Sequence, residues 1–232
     1  MSSSGLMVFV ELAFTVGIPA ILAITLHEAA HGYVALMFGD PTAAQRGRLS
    51  INPIRHIDPM GTIGLPVMLI LANAPFVIGW AKPIPVDFRR LRRPKQDMVW
   101  VAAAGPLMNI AQAFVWAGVL HISGSEPSPG LMAWLAEAGF NGLLINVVLA
   151  VFNMLPIPPL DGGRVAVGLL PPRPAQSLAR LEKYGMFILL GVLIGIPWVG
   201  SLVGLDINIF GWVVLPVVDL IVNGIAALTG LN

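Results

Sequence analysis

Charge-poor apolar runs alternate with short stretches that hold nearly all the charge. The runs cover Met7–Phe38, Gly61–Ala81, Met98–Leu120, Ala138–Leu155, Tyr184–Val203 and Ile207–Leu228. About 20 apolar residues carry a helix across the hydrocarbon core, so each run predicts a membrane segment. The first is longer than one crossing needs and predicts a tilt or a break near Gly17-Ile18-Pro19. After it, Arg46-Gly47-Arg48-Leu49-Ser50-Ile51 alternates and is followed by the turn pairs Asn52-Pro53 and Asp58-Pro59. That pattern predicts a short β hairpin at the membrane surface. Trp80–Pro94 is rich in proline and arginine and reads as a loop, with one extended segment at Ile84-Pro85-Val86. There is no internal repeat and no long linker. The expectation is an all-α polytopic membrane protein with five to six transmembrane segments and a short membrane-surface hairpin. It forms a single integral membrane domain over residues 1–232, with a core at about 7–170 and further helices at about 178–230.

Composition agrees. The 232 residues are 56% hydrophobic and 11% charged, with a mean hydropathy of +0.83. An ordinary soluble domain has about 25% charged residues. A net charge of +1 without a basic domain gives no footing for nucleic acid. The absence of cysteine excludes disulfides and thiolate ligands, so a metal could be held only by His, Asp or Glu. The start, Met1-Ser2-Ser3-Ser4-Gly5, lacks the basic stretch of a cleaved signal peptide, which predicts that the first run is retained.

Charge placement bears on topology. The 13 Lys and Arg residues fall in three groups. Arg46, Arg48 and Arg55 follow the first run; Lys82, Arg89, Arg90, Arg92, Arg93 and Lys95 follow the second; Arg164, Arg173, Arg180 and Lys183 follow the fourth. If Gly61–Ala81 crosses, the first group lies outside, against the positive-inside rule. If it is re-entrant, every positive charge is cytoplasmic. Pro66, Asn73 and Pro75 favour a broken segment, tolerated where protein or water covers its backbone. The second scheme puts the N-terminus outside a cell membrane. Arg89-Arg90-Leu91-Arg92-Arg93 then serves as a topology anchor near lipid headgroups.

The chemistry lies in His27-Glu28-Ala29-Ala30-His31, an H-E-x-x-H motif inside the first run. Histidines four apart share one helix face, about 6 Å apart along the axis. That suits two imidazole ligands on one zinc ion, with Glu28 free to act as a base. Ionisable groups at such depth need a compensating partner. A catalytic zinc usually has three protein ligands. Asp161 is the best third candidate, in Asn153-Met154-Leu155-Pro156-Ile157-Pro158-Pro159-Leu160-Asp161-Gly162-Gly163. The competing reading is a helix-capping Asp. His27, His31 and Asp161 share a depth only if the first run goes from outside to inside, which the re-entrant scheme provides. His31 then sits on the order of 10 Å below the cytoplasmic face.

These motifs resemble the site-2 protease family of intramembrane zinc metalloproteases. The resemblance rests on His27–His31 and the N-x-x-P-x-x-x-L-D-G pattern of Asn153–Gly162. It extends to Ala104-Gly105-Pro106-Leu107-Met108-Asn109, Gly47-Arg48-Leu49, His56–Thr62 and Gly79–Val86, and so covers Ala23 to about Leu190. It implies a small form without PDZ or CBS modules. It implies that His27, His31 and Asp161 hold one zinc ion, and that Glu28 takes the proton of the attacking water. It also implies that Asn153 holds the substrate strand or stabilises the oxyanion; a helix-interior amide bonding a neighbour is the plainer reading. His56 faces the cleft or is an interfacial surface histidine, the latter being the simpler reading. Asn109 reads as a helix–helix contact, His121 as remote from the metal, and Asp219 as lining a water path or snorkelling. The partners are a transmembrane protein substrate and the lipid bilayer. The alternative is an ion or metal transporter or channel using the same His/Glu/Asp cluster.

Overall fold

A computed structural model describes residues 3–71, 81–124 and 127–231. The secondary structure among these residues is helical, joined by turns and coil, and no strand occurs among them. In chain order the helices are α1 (Ser3–Leu12), α2 (Ile18–Met37), α3 (Thr42–Gln45), α4 (Leu65–Leu71), α5 (Pro94–Ser123), α6 (Leu131–Asn153), α7 (Asp161–Leu169), α8 (Pro172–Arg180), α9 (Gly185–Leu190), α10 (Ile196–Leu202), α11 (Ile209–Val213) and α12 (Leu215–Thr229). Four continuous helical stretches among the described residues are long and apolar enough to cross a membrane: Met7–Met37, Pro94–Ser123, Leu131–Asn153 and Pro172–Leu202.

The expected break in the first run is a π-helical turn, Ala13–Gly17, joining α1 to α2. Its cause is Pro19. With no N–H, Pro19 cannot bond the carbonyl of Thr15. Ile18 N–H instead reaches Ala13 O, the wider π spacing. The freed Thr15 carbonyl accepts from Asn141 Nδ2 of α6 at 3.2 Å, so an interhelical bond satisfies what proline left open.

Two expectations are corrected. The β hairpin at 46–51 does not form; after α3 the chain runs as turns and coil. Side chains take the backbone groups that a ladder would use. Arg55 donates to Gly47 O and Arg48 to Arg55 O. His56 Nε2 meets Ser50 O at 2.8 Å, and the Asn52 and Asp58 carboxamide and carboxylate cap the turns that follow. The count of five to six spans is also not reproduced. Ile207–Leu228 is interrupted at Val214, where Pro216 cannot continue the preceding turn. The 15 residues of α12 span about 22 Å, short of a hydrocarbon core of about 30 Å. Gly61–Ala81 begins with a π turn (Pro59–Gly64) and α4. Asn73 and Pro75, on which the re-entrant reading leans, lie outside the described residues.

α5 is the central helix, packed against α2, α6 and α7. Its contact with α6 is made of small residues, which let helices approach closely in a bilayer. Ala113 and Ala117 of α5 and Ala138, Gly139 and Gly142 of α6 are buried there. A Cβ on Gly142 would run into the Trp116 indole, and one on Gly139 would lie 2.8 Å from Leu120 N. The bundle ends are also tied. Arg92 N–H donates to Phe38 O at 3.0 Å, joining the end of α2 to the start of α5. Lys95 Nζ donates to Leu170 O at 2.5 Å, joining the start of α5 to the end of α7.

Gly142→Ala is expected to cost about 1–3 kcal/mol by overpacking, read as a lowered unfolding midpoint of the detergent-solubilised protein. Adding Trp116→Leu should restore part of the loss.

Candidate metal centre

α2 and α7 both pack against α5, and the cluster lies between them. α2 supplies His27 and His31 on one face, with the ring centroids 4.7 Å apart. α7 supplies Asp161 in its first turn, where the free N–H groups of a helix start favour a carboxylate. The glycines after it allow the chain to fold back this tightly. A Cβ on Gly162 would strike the Met154 carbonyl, and one on Gly163 would sit 2.5 Å from Pro158 N. The result is a cluster of three ligand atoms. His27 Nε2 and His31 Nε2 lie 3.1 and 3.2 Å from Asp161 Oδ2, and 3.1 Å from each other. All three residues are buried, at 7%, 8% and 5% exposure.

The outer hydrogen bonds decide what these atoms are. His27 Nδ1 is 2.5 Å from Asn109 Oδ1, and His31 Nδ1 is 2.7 Å from Val101 O. Both partners can only accept, so each ring carries a proton on Nδ1 and leaves Nε2 as the atom it can offer a metal. Asp161 Oδ2 faces both Nε2 atoms. Three potential ligand atoms this close suit a cation placed among them. The spacing fits zinc: bonds of about 2.0–2.1 Å at tetrahedral angles put ligand atoms roughly 3.3 Å apart. Arg164 Nη1 lies 3.8 Å from the other carboxylate oxygen, Oδ1, and its Nη2 donates to Glu182 at 3.2 Å. The carboxylate is thereby steadied from its outer side.

Glu28 stands between the two histidines in sequence but is not part of their cluster. Its Oε2 accepts from Ile84 N–H at 2.7 Å. Ile84 belongs to the irregular run 81–87 and is buried against Gly32 of α2, where a Cβ would lie 3.1 Å from Ile84 Cγ2. Lys82 N–H holds this run to His56 O at 2.8 Å, and Arg48 Nη2 holds it through Lys82 O at 2.8 Å. At its far end Asp87 N–H donates to the buried Asp40 carboxylate at 2.7 Å. The Arg89 side chain bonded to Asp87 keeps that aspartate's carboxyl below the usual carboxylate range.

The other expected residues are placed less centrally. Asn153 ends α6 with its Nδ2 bonded to Leu149 O of its own helix at 3.0 Å. His56 is 2% exposed, not a surface histidine, because its ring fills the turn it closes. Sequence reading missed Gly105, Val101, Ile84 and Arg164. A Cβ on Gly105 would lie 2.5 Å from both His27 Nε2 and His31 Nε2. The A-G-P-x-x-N motif was the available signal. For Val101 there was none, since it contributes only backbone; Ile84 lies in the Gly79–Val86 motif, which carries no sign of its backbone bond to Glu28.

Comparison with known proteins bears on this site. The model of peptidase family M50 matches residues 131–195, which include Asn153 and Asp161. "Putative zinc metalloprotease YwhC" of Bacillus subtilis is 40% identical over 176 residues, covering 75% of this chain and 77% of that protein. "Putative zinc metalloprotease Rip2" of Mycolicibacterium smegmatis is 29% identical over 174 residues, covering 75% of this chain and 64% of that protein. "Putative zinc metalloprotease MJ0611" of Methanocaldococcus jannaschii is 48% identical over 66 residues, 28% of this chain and 31% of that protein. No solved structure matches.

Gly105→Ala should weaken zinc binding at least about tenfold, equivalent to about 1.4 kcal/mol. Chelator competition on the purified protein measures it. Gly118→Ala on the same helix, where a Cβ meets nothing within 4 Å, should leave zinc affinity unchanged.

Proposed function

We propose that this chain, which belongs to peptidase family M50 and is a zinc-dependent protease, cuts a peptide bond within or near a transmembrane segment of another membrane protein. The observation that carries the reading is the His27/His31/Asp161 cluster, built into apolar helices with Glu28 beside it. The H-E-x-x-H helix, the third carboxylate and the zinc metalloprotease relatives support proteolysis over an ion path. The burial of the cluster among candidate membrane spans supports an intramembrane substrate, and with it a role in regulated intramembrane proteolysis.

In this reading His27 Nε2, His31 Nε2 and Asp161 Oδ2 hold the zinc ion. When bound, zinc polarises the scissile carbonyl and acidifies water. Glu28 takes the proton of the attacking water on its carboxylate and delivers it to the departing amide nitrogen. The Ile84 N–H bond to Oε2 holds that carboxylate in place and leaves Oε1 for the proton. Asn153 supplies a donor to the substrate once its side chain leaves Leu149 O. His56 shapes the 46–58 turn against the 81–87 run and does not itself touch substrate.

We read the chain as one membrane domain, its metal centre within residues 7–170 and the helices beyond 178 flanking it. It sits in the cell membrane as a multi-pass protein, with the N-terminus outside and the metal centre nearer the cytoplasmic face. Support comes from the tied bundle end. It gathers the C-terminus of α2, the start of α5 and the end of α7, together with Arg46, Arg48, Arg89, Arg90, Arg92, Arg93 and Lys95.

Glu28→Gln should keep about one zinc per chain and lose cleavage of a transmembrane substrate reconstituted in the same vesicles by about 10²–10⁴-fold. Zinc analysis and product quantification on one preparation check both. Cleavage equal to wild type would sink Glu28 as the base.

A further inference from the structure

We propose that Asn109 is a positioning residue for the metal centre. It fixes the His27 imidazole so that Nε2, and not Nδ1, faces the ion. The inference rests on His27 being a ligand, as read above. Its warrant is a chain of buried hydrogen bonds. Asn109 Oδ1 lies 2.5 Å from His27 Nδ1. Its Nδ2 is committed twice, to Asn146 Oδ1 at 2.8 Å and to Ala23 O at 3.2 Å. Asn146 Nδ2 is committed in turn to Gly142 O at 2.8 Å. Every amide in the chain is therefore oriented by its partners. Asn109 cannot turn over and offer His27 a donor without losing two bonds. Both asparagines are 0% exposed, so no solvent competes.

The sequence position of Asn109 follows from the same geometry. Gly105 and Asn109 are four apart on α5 and therefore share a face. Gly105 makes the room into which both imidazoles fit, with a would-be Cβ 2.5 Å from each Nε2. One turn further along, Asn109 grips the far side of the His27 ring. Ala104-Gly105-Pro106-Leu107-Met108-Asn109 is thus a single device: clearance, then orientation. A neutral amide is the fitting acceptor. A ligand histidine commonly gives its second N–H to a carboxylate or a carbonyl oxygen. Here Asn109 supplies a carbonyl oxygen without adding a second buried charge next to Asp161. Gln112 sits on the same stretch of α5 and also reaches Ala23 O, at 3.4 Å. It shares Asn109's contact with α2, and no hydrogen bond joins it to His27.

The test uses zinc affinity, by chelator competition on the detergent-solubilised full chain, and the visible spectrum after cobalt substitution. Asn109→Leu should weaken zinc binding about 10–100-fold and shift the cobalt bands. Gln112→Leu should change neither. Asn109→Gln keeps a neutral amide, with an oxygen for His27 Nδ1 and donors for Asn146 and Ala23, and should bind zinc within about threefold of wild type; it decides the matter if the leucine variant does not fold. Wild-type affinity in Asn109→Leu, equal losses in Asn109→Leu and Gln112→Leu, or a tenfold loss in a folded Asn109→Gln would each overturn the role. His27→Ala separates the two claims. If it binds zinc as wild type does, the ligand reading itself fails. If it loses zinc while Asn109→Leu does not, only the positioning role fails.

Discussion

Three potential ligand atoms held within 3.2 Å of one another, away from water, set the terms for everything around them. Nε2 of His27, Nε2 of His31 and Oδ2 of Asp161 suit a cation placed among them and need something rigid to keep them there. We propose that the cation is zinc, the metal named in the chain's relatives. The rigidity is the bundle's. α2 carries both histidines at one helical spacing, α7 begins at Asp161, and α5 runs between with a gap at Gly105 where their rings converge. Outer contacts finish each ligand: Asn109 and Val101 on the two rings, Arg164 on the carboxylate. Removing any of them would leave a buried polar atom without a partner, which is costly in an apolar interior.

Much of this was legible in the sequence because it is carried by side-chain chemistry at fixed spacing. The four-residue step from His27 to His31 is a helix rule. Asp161 could be matched to them by depth along the runs. The first-run break was visible in Pro19, although its repair by Asn141 was not, since that bond joins residues 126 positions apart. What escaped was carried by groups without a sequence signature. Gly105 matters for the Cβ it lacks. Ile84 and Val101 act through backbone atoms, which any residue but proline could offer at Ile84 and any residue at all at Val101. Asn109 was read as a helix–helix contact and is one, through Asn146 and Ala23, but its remaining oxygen goes to His27.

The misread hairpin has the same lesson. Alternation over Arg46–Ile51 is a fair strand signal only while the backbone is free to pair. Arg48 and Arg55 are long enough to reach neighbouring carbonyls, and they do. The resulting coil braces the 81–87 run, which in turn places Ile84 N–H on Glu28. A segment expected to be a surface ornament is part of the support of the proposed base. The last apolar run was misjudged for a simpler reason: length and hydropathy favoured a span, and one residue, Pro216, divides it.

The central claim is that His27, His31 and Asp161 jointly hold zinc. Zinc X-ray absorption on the purified chain tests it most directly. The account predicts light-atom ligands at about 2.0–2.1 Å with the outer-shell scattering of two imidazoles, falling to one imidazole in His27→Ala or His31→Ala wherever metal is retained. A spectrum without imidazole scattering, or one unchanged in both variants, would contradict it.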